Sequence, residues 1–324
     1  MRLRSFPRAL CGILLSCLLT TANAQTVWFV NDDASGANTG TSWTDAYTDL
    51  HSALSAAQSG DQIWVAAGVY VGNFTLALGV ELYGGFAGTE TELAQRDWTA
   101  NETILNGGAA DSVVTSPPGA TATTLIDGFT ITNGSGTLVN TYYKYGGGVY
   151  LNNSSPTIVN NTITDNIASR GGGLYISGSS PTIANNTIAD NTSYSYGGGL
   201  FLVNSSPTIA NNTITDNSVD YSNGGGAGLY MESSSPTIAN NTIRANSAAY
   251  CGGLYLRDSS PAIVNNTITG NSAVTAGSTG GGLCAESSFP MIANNNIMAN
   301  SAGSGGGLYL SGSPATIANN TISG

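Results

Sequence analysis

Apolar residues recur at regular intervals through the second half of the chain, and glycine, asparagine and serine separate them. The segment GGGLYISGSSPTIANNTIADN at residues 171–191 returns with small changes from residue 146 onward. The first Asn of its Asn-Asn pair falls at positions 160, 185, 211, 240, 265, 294 and 319, so the period is 25, 26 or 29 residues. A period of this length is typical of a solenoid, in which each unit buries its apolar face against its neighbours.

The apolar runs of each repeat are short, β-branched and bounded by glycine, proline or asparagine, which predicts three short strands and three turns. One repeat would then form one coil of an all-β parallel β-helix, with successive coils about 4.8 Å apart. Three apolar columns are expected in the interior: a Leu column (Val149, Leu174, Leu200, Leu229, Leu254, Leu283, Leu308) and two Ile columns (Ile158, Ile183, Ile209, Ile238, Ile263, Ile292, Ile317; and Ile163, Ile188, Ile214, Ile243, Ile268, Ile297, Ile322).

Asparagine columns are expected at the corners between strands, because Asn tolerates the left-handed backbone of a tight turn. Both residues of the Asn pair, and a further Asn at 166, 191, 217, 246, 271 and 300, are predicted to form three hydrogen-bonded ladders along the axis. The glycine before each Leu-column residue, such as Gly173, is expected to supply a backbone angle that other residues resist.

One turn of the repeat carries all of its variation in length. The distance from the Leu column to the next Asn pair is always 11 residues, whereas the return distance varies from 14 to 18. Insertions confined to one face often mark the binding face of a solenoid. Tyrosines lie in this turn among Ser, Gly and Asn, a composition typical of recognition loops. The candidate binding residues are therefore Tyr142, Tyr143, Tyr145, Tyr194, Tyr196, Tyr221 and Tyr250. The alternative is that they only cover the apolar edge of the turn.

An aromatic column accompanies the Leu column one residue later: Tyr150, Tyr175, Phe201, Tyr230, Tyr255, Cys284 and Tyr309. Strand alternation points it to the opposite face from the Leu column, which is outward. Stacked rings at this spacing would either cradle sugar rings or form a ladder that stiffens the coils, and the second interpretation is favoured because the column barely varies.

The first 24 residues have the features of a secretory signal peptide: Arg2, Arg4 and Arg8, an apolar run over 9–19, and a small-residue cleavage site at 22–24. Cleavage after Ala24 predicts a secreted or cell-surface protein. The mature chain would keep 5 basic against 19 acidic residues, a formal charge of −14, which argues against nucleic acid or an anionic membrane as a partner. No later stretch is apolar and long enough to be a transmembrane helix.

Three further regions are predicted. Residues 25–60 would form an N-terminal cap, in which apolar residues on one face and a Ser-x-x-Asp start predict an amphipathic helix over about 42–57. Such a helix would cover the open edge of the first coil. Residues 61–145 would be irregular first coils and residues 146–324 regular coils, with a C-terminal cap absent or truncated. His51, the only histidine, has no acid–base partner in the sequence pattern, so no catalytic residue is assigned.

The two cysteines outside the signal peptide, Cys251 and Cys284, fall four positions out of register in their repeats. Four strand residues span about 13 Å, which is beyond the reach of a disulfide. Two unbridged thiols are therefore expected.

Three carboxylates stack at one repeat position on consecutive coils: Asp165, Asp190 and Asp216. Like charges at coil spacing repel one another unless they are screened or bridged by a cation. They are interpreted as exposed turn residues with a weak Ca²⁺ site as the alternative, and no other cofactor is expected.

The motifs Gly171-Gly172-Gly173-Leu174-Tyr175 and Ile188-Ala189-Asp190-Asn191 resemble the Gly-Gly-aliphatic and aliphatic-x-x-Asn signatures of the polymorphic outer membrane proteins. The chain is similar to the wider group of secreted bacterial right-handed parallel β-helix proteins, and FVNDDASGANTGTSW resembles their N-terminal cap. The resemblance implies a right-handed helix, surface display, adhesion and an outer membrane association.

The leading functional hypothesis is a non-catalytic, adhesin-like scaffold that binds glycan or a cell-surface protein through the Tyr-bearing turn. The alternative is a lyase or glycoside hydrolase acting on polysaccharide, because the resemblance also extends to pectin lyase-like enzymes. Basic residues in the regular coils are few and scattered (Lys144, Arg170, Arg244, Arg257), which favours the non-enzymatic hypothesis. Ice binding is a minor alternative suggested by Thr-x-Thr strands, and Ala189, Arg244, Asn296 and Met298 interrupt that array.

Overall fold

The chain winds as a parallel β-solenoid of about eight coils, which confirms the predicted fold class. The computed structural model describes residues 25–139 and 141–324, so the predicted signal peptide lies outside the described residues. Strands of successive coils pair in parallel, and the pairing is in register except for a shift between Gln62–Ala66 and Glu81–Phe86 and another between Ile167–Arg170 and Thr192–Tyr196. All described pairs but one are parallel. The described exception is a short antiparallel pair, Thr137–Leu138 with Lys144–Tyr145, where the first variable turn folds back on itself.

Four sheets run along the axis, and a regular coil visits them in the order sheet 1 to sheet 4. Sheet 1 contains Phe74–Thr75, Val114–Ser116, Val149–Asn152, Leu174–Ser177, Leu200–Val203, Leu229–Glu232, Leu254–Arg257, Leu283–Glu286 and Leu308–Ser311. Sheet 2 contains Val27–Val30, Gln62–Ala66, Glu81–Phe86, Leu125–Asp127, Thr157–Val159, Thr182–Ala184, Thr208–Ala210, Thr237–Ala239, Ala262–Val264, Met291–Ala293 and Thr316–Ala318.

Sheet 3 contains Gly68–Val71, Thr103–Asn106, Thr130–Thr132, Thr162–Thr164, Thr187–Ala189, Thr213–Thr215, Thr242–Arg244, Thr267–Thr269, Asn296–Met298 and Thr321–Ser323. Sheet 4 contains Thr137–Leu138, Lys144–Tyr145, Ile167–Arg170, Thr192–Tyr196, Ser218–Val219, Ser247–Ala248 and Ser272–Ala273. Sheet 4 was not predicted. It lies in the variable turn, whose Ser- and Gly-rich sequence lacks the β-branched runs of the other strands, so its strands form by pairing between coils.

The interior consists of the predicted apolar columns together with one more. The Leu column and both Ile columns are fully buried through most coils, and Ile158 pairs in register with Ile183 as Ile163 does with Ile188. The additional column belongs to the next inward position of sheet 1: Leu151, Ile176, Leu202, Met231, Leu256 and Ala285. In the last described coil the column residues Ile317 and Ile322 are half exposed.

The corners from sheet 1 to sheet 2, from sheet 2 to sheet 3 and from sheet 3 to sheet 4 share a two-residue arrangement. The first residue adopts a left-handed backbone, with φ near +58° at Asn185 and +55° at Asp190, and the second is a buried polar residue that bonds to its equivalents in adjacent coils. Asn186 and Asn191 are such buried residues, and serine fills the same role at the corner between sheets 1 and 2, as in Ser179. The prediction of three Asn ladders is therefore wrong. Two are formed, and the first Asn of each pair shapes the turn instead.

The glycine triplet forms the remaining corner, from sheet 4 into sheet 1. Its first residue has the left-handed backbone, with φ of +64° at Gly171, whereas the glycine before the Leu column does not. Gly173 is required for space, because a Cβ there would lie 2.6 Å from the carbonyl oxygen of Gly199 in the next coil. The predicted backbone role of Gly173 is therefore wrong, and it belongs to Gly171.

A disulfide joins Cys251 and Cys284, whose Cα atoms are 5.5 Å apart, so the prediction of two unbridged thiols is wrong. The chain bends sharply at the glycine triplet instead of running straight. At the equivalent place one coil earlier, a Cβ built on Gly226 would lie 3.0 Å from the Cβ of Tyr255 in the next coil. Cys251 occupies the Gly226 position and Cys284 the Tyr255 position of their coils, so their side chains face each other.

The N-terminal helix is shorter than predicted: α1 spans Leu50–Ala56. Its N-cap is Asp49, whose carboxylate accepts from the Ser52 N–H at 2.9 Å. The predicted start at Ser42 is wrong because the segment before α1 bonds to an earlier loop, for example Thr39 N–H to the Asp45 carbonyl at 2.8 Å. Leu50 and Ala53 on α1 pack into the same core as the apolar columns. A 3₁₀ helix, Leu93–Gln95, lies among the irregular first coils.

Candidate functional site

The outer face of sheet 1 carries a continuous stack of aromatic rings, here called the aromatic ladder: Tyr150, Tyr175, Phe201, Tyr230 and Tyr255. Ring centroids of successive members are 5.5, 5.5, 4.9 and 5.1 Å apart. The first four rings lie within 10° of parallel to their neighbours, and Tyr255 meets Tyr230 edge-on. In-register pairing of equivalent strands produces this geometry, because each ring then lies directly above its counterpart.

The aromatic ladder is covered rather than open. Tyr175, Phe201 and Tyr230 are only 9%, 1% and 2% exposed, because side chains from sheet 4 fold over them. Tyr145 stacks on Tyr175 at 4.7 Å and Arg170 lies over Phe201 at 5.3 Å. Burial raises the pKa of Tyr230 to about 12, so its hydroxyl stays neutral over the physiological range. The ladder therefore stabilises the coils, and its buried members offer no ring face to a sugar.

The seven tyrosines predicted as binding residues, here called the tyrosine face, divide into two groups. Tyr145 is buried and Tyr196 and Tyr250 are half-buried, and Tyr196 packs on Tyr230 at 4.6 Å between centroids. The others are well exposed: Tyr142 at 84%, Tyr143 at 47%, Tyr194 at 52% and Tyr221 at 59%. The covering interpretation applies to the first group, and binding by the exposed group stays a prediction. The exposed group lies along one side of the solenoid, at the turns between sheet 3 and sheet 1.

The three stacked carboxylates lie at the corner between sheets 3 and 4. Asp165, Asp190 and Asp216 are exposed, with φ of +54°, +55° and +56°. Desolvation, followed by the negative charges of Asp216 and Asp165, raises the pKa of Asp190 above its ordinary value. Across residues 25–139 and 141–324, no group of three or more His, Cys, Asp or Glu is arranged as a metal-ligand set. The Ca²⁺ site stays a prediction.

A polar column on the outer face of sheet 1 was missed in the sequence. Glu232, Arg257 and Glu286 occupy the same strand position in three successive coils. Arg257 Nη1 lies 3.8 Å from Glu232 Oε1, and the Tyr255 hydroxyl donates to Glu286 Oε2 at 2.8 Å. Alignment of the repeats could have revealed it, because the three charged residues fall in one column in which earlier coils carry the uncharged Ser177 and Val203.

His51 lies on α1 at the surface. Its Nε2 is 3.2 Å from the Asn73 carbonyl oxygen and its ring centroid is 4.8 Å from that of Phe74. These contacts hold the ring against the first coils.

Comparison with family models accounts for most of the regular coils. A model described as right handed beta helix region matches residues 120–297, which is more than half of the chain. The chain belongs to the right-handed β-helix family. A second model, described as protein of unknown function (DUF1565), matches residues 33–191 of this β-helix. The searches of curated proteins and of solved structures found no match.

The part of the β-helix in the family match includes the aromatic ladder, the disulfide and the tyrosine face. None of the helices in the described residues is long and apolar enough to cross a membrane.

Proposed function

We propose that this β-helix is an adhesin-like scaffold that binds glycan or protein through the exposed part of the tyrosine face. The observation that carries the proposal is the exposure of four tyrosines on the one side of the solenoid where coil length varies. Tyrosine provides a rigid amphipathic contact at small cost in conformational entropy. Tyr145 and Tyr196, which pack on the aromatic ladder, give the exposed tyrosines a firm base.

Export supports the same proposal. The signal-peptide features of residues 1–24, the formal charge of −14 and the resemblance to the polymorphic outer membrane proteins all favour display outside the cytoplasm, on a cell surface or after secretion. An extracellular location also agrees with the Cys251–Cys284 disulfide, because such bonds persist in oxidising compartments.

The test is a double variant, Tyr194→Ala with Tyr221→Ala, assayed on a glycan array and on cultured cells. Both side chains are exposed, so folding should be retained, and loss of two anchors should weaken binding by about tenfold or more. The matched control is Phe289→Ala, which removes an equally exposed ring (62%) at the corner between sheets 1 and 2. Equal binding by the double variant and the wild type would contradict the proposal.

Polysaccharide hydrolysis is a second candidate, favoured by the polar column on sheet 1. Glu232 and Glu286 lie two coils apart, which is about 10 Å by strand spacing. Inverting glycosidases separate their carboxyl groups by roughly 6.5–9.5 Å, just below this spacing. Glu286→Gln should abolish release of reducing sugar from pectin or alginate if this candidate is right. Asp33→Asn, an exposed carboxylate in the cap, is the control. No hydrolysis by the wild type would remove the candidate.

A further inference from the structure

A polar cleft of about 470 Å³ lies on the outside of the β-helix, away from the tyrosine face. Its floor is the corner between sheets 2 and 3, where Asn160 and Asn185 turn the chain. Its wall is the segment that follows the 3₁₀ helix and carries Trp98 and Glu102. A volume of this size falls within the range of roughly 300–1,000 Å³ that is typical of small-molecule sites.

The wall is held rigidly by a buried ion pair. Arg96 Nη2 donates to Asp127 Oδ2 at 2.6 Å, and both side chains are less than a tenth exposed. Arg96 Nη1 also donates to the carbonyl oxygens of Gly84 and Asp127 at 3.1 and 3.2 Å. The guanidinium lies 4.7 Å from the ring centroid of Trp98. The indole is therefore fixed in place although Trp98 is 39% exposed, in a position that lines the cleft.

Several polar groups of the cleft have hydrogen-bonding capacity to spare. Within the described residues, the side-chain amide of Asn185 and the hydroxyls of Thr162 and Thr187 form no hydrogen bond. Asn160 donates its amide to Asp127 at 2.9 Å, which leaves its Oδ1 available. Glu102 Oε1 accepts a hydrogen bond from the Thr130 hydroxyl at 2.8 Å, which leaves its Oε2 available to a ligand. Acceptors and donors thus surround an exposed indole.

The charges of the cleft select among possible ligands. Glu102 is the one carboxylate among the described residues that line it, and none of those residues is Lys or Arg. Asp127, behind the floor, is neutralised by Arg96. An anionic ligand would meet an unbalanced negative charge, whereas a neutral ligand rich in hydroxyl groups would satisfy the free amide, hydroxyl and carboxylate groups.

We propose that this cleft, here called the Trp98 cleft, is a binding site for a neutral oligosaccharide. Trp98 packs its ring against the apolar face of one sugar, and Glu102, Asn160 and Asn185 bond to the sugar hydroxyls. Outward-facing threonines at the first position of sheet 3 continue past the cleft along the axis, at Thr213, Thr242 and Thr267. They extend the polar surface in the direction that a longer glycan would follow. The site is independent of the tyrosine face.

The test is isothermal titration calorimetry of the full mature chain with cellohexaose, xylohexaose, chitohexaose and, as the anionic comparison, a galacturonate oligosaccharide. The wild type should bind at least one neutral hexasaccharide and show weaker or no binding to the galacturonate. Trp98→Ala should weaken binding by about tenfold or more, and Trp98→Phe should restore part of it. Asn185→Gly should weaken binding by about fivefold through loss of the amide.

Two control variants establish whether binding depends on the Trp98 cleft itself. Asn294→Gly makes the same substitution at the same repeat position four coils farther along, outside the cleft and past the threonines that extend it, and should bind like the wild type. The double variant at Tyr194 and Tyr221 should also bind these oligosaccharides normally. Trp98→Ala removes a contact of Arg96 and could loosen the wall, so Asn185→Gly carries the test if that variant unfolds. No binding of any neutral hexasaccharide, or equal binding by Asn185→Gly and Asn294→Gly, would overturn the proposal.

Discussion

Replacing a buried Asn of one ladder, Asn186, should lower the free energy of unfolding far more than replacing the preceding residue, Asn185. Asn186 is 2% exposed, and its side chain makes five hydrogen bonds. Its Oδ1 accepts from the backbone and side-chain N–H groups of Asn161 at 2.9 and 3.2 Å. Its Nδ2 donates to the carbonyl oxygens of Ile158 and Ala184 and to Asn212 Oδ1 at 2.9, 3.0 and 3.0 Å. Asn186→Ala deletes all five.

The expected magnitude follows from the number of these bonds. The two Nδ2 hydrogens are shared among three acceptors, so these contacts amount to about four full bonds, and a net contribution of about 1 kcal/mol for each gives about 4 kcal/mol. Some freed carbonyl groups keep other partners in the sheets, whereas the Asn161 N–H is left buried and unpaired. We therefore expect Asn186→Ala to lower the free energy of unfolding by about 3–5 kcal/mol. Asn185→Gly is the control, because residue 185 is exposed with φ of +58° and glycine adopts that backbone freely. Its effect should stay within about 0.5 kcal/mol.

Urea unfolding followed by circular dichroism measures the difference between the two variants. Stability in a solenoid is built from coils and their interfaces, so the loss should be local as well. Hydrogen exchange measured by mass spectrometry should show faster exchange in peptides covering residues 157–164 of Asn186→Ala and not of Asn185→Gly. A loss below about 1 kcal/mol in Asn186→Ala would show that the ladder does not hold the coils together.

Three further outcomes are expected. Replacing both cysteines by serine removes a cross-link that closes a 33-residue separation, which should lower stability by up to about 4 kcal/mol in thermal unfolding; Cys251→Gly with Cys284→Tyr restores the usual residues and should recover part of the loss. The pKa of Tyr230 is raised to about 12 from an ordinary value near 10, so its contribution to stability is complete below pH 10 and is lost between about pH 10 and 12; Tyr230→Phe should flatten that decline in alkaline urea titrations. If Ca²⁺ binds the stacked carboxylates, millimolar Ca²⁺ should raise the melting temperature of the wild type and not of Asp190→Asn, and equal shifts would exclude the site.

The sequence was sufficient for features that repeat. Columns such as Ile158–Ile183–Ile209 can be predicted from the repeat alone, because a parallel solenoid places like residues above one another. Any other register would place unlike residues above one another. The corners were recognised for the same reason. The different roles of Asn185 and Asn186 could not be recognised, because two adjacent residues of one type do not indicate which side chain turns inward.

Features that depend on how segments fold over one another could not be predicted. The disulfide could not be predicted because the chain bends at the glycine triplet. The bend brings Cys251 and Cys284 together although their repeat positions are four residues apart. The covering of Phe201 by Arg170 required sheet 4, which forms from residues of low strand propensity through pairing between coils. The Trp98 cleft joins an irregular N-terminal segment to the floor of later coils, and no periodic pattern connects Trp98 with Asn185.

Because the Asn corners bond to equivalent residues above and below, a coil behaves as an interchangeable module. Excising residues 182–207 would bring Asn161 next to Asn212 and Asn166 next to Asn217, so each column would meet the same kind of neighbour as before. The molecule would shorten by a single coil of about 4.8 Å, and the Asn ladders would stay continuous. The length of the protein is therefore set by its number of coils, which gene duplication or deletion can change by one coil at a time.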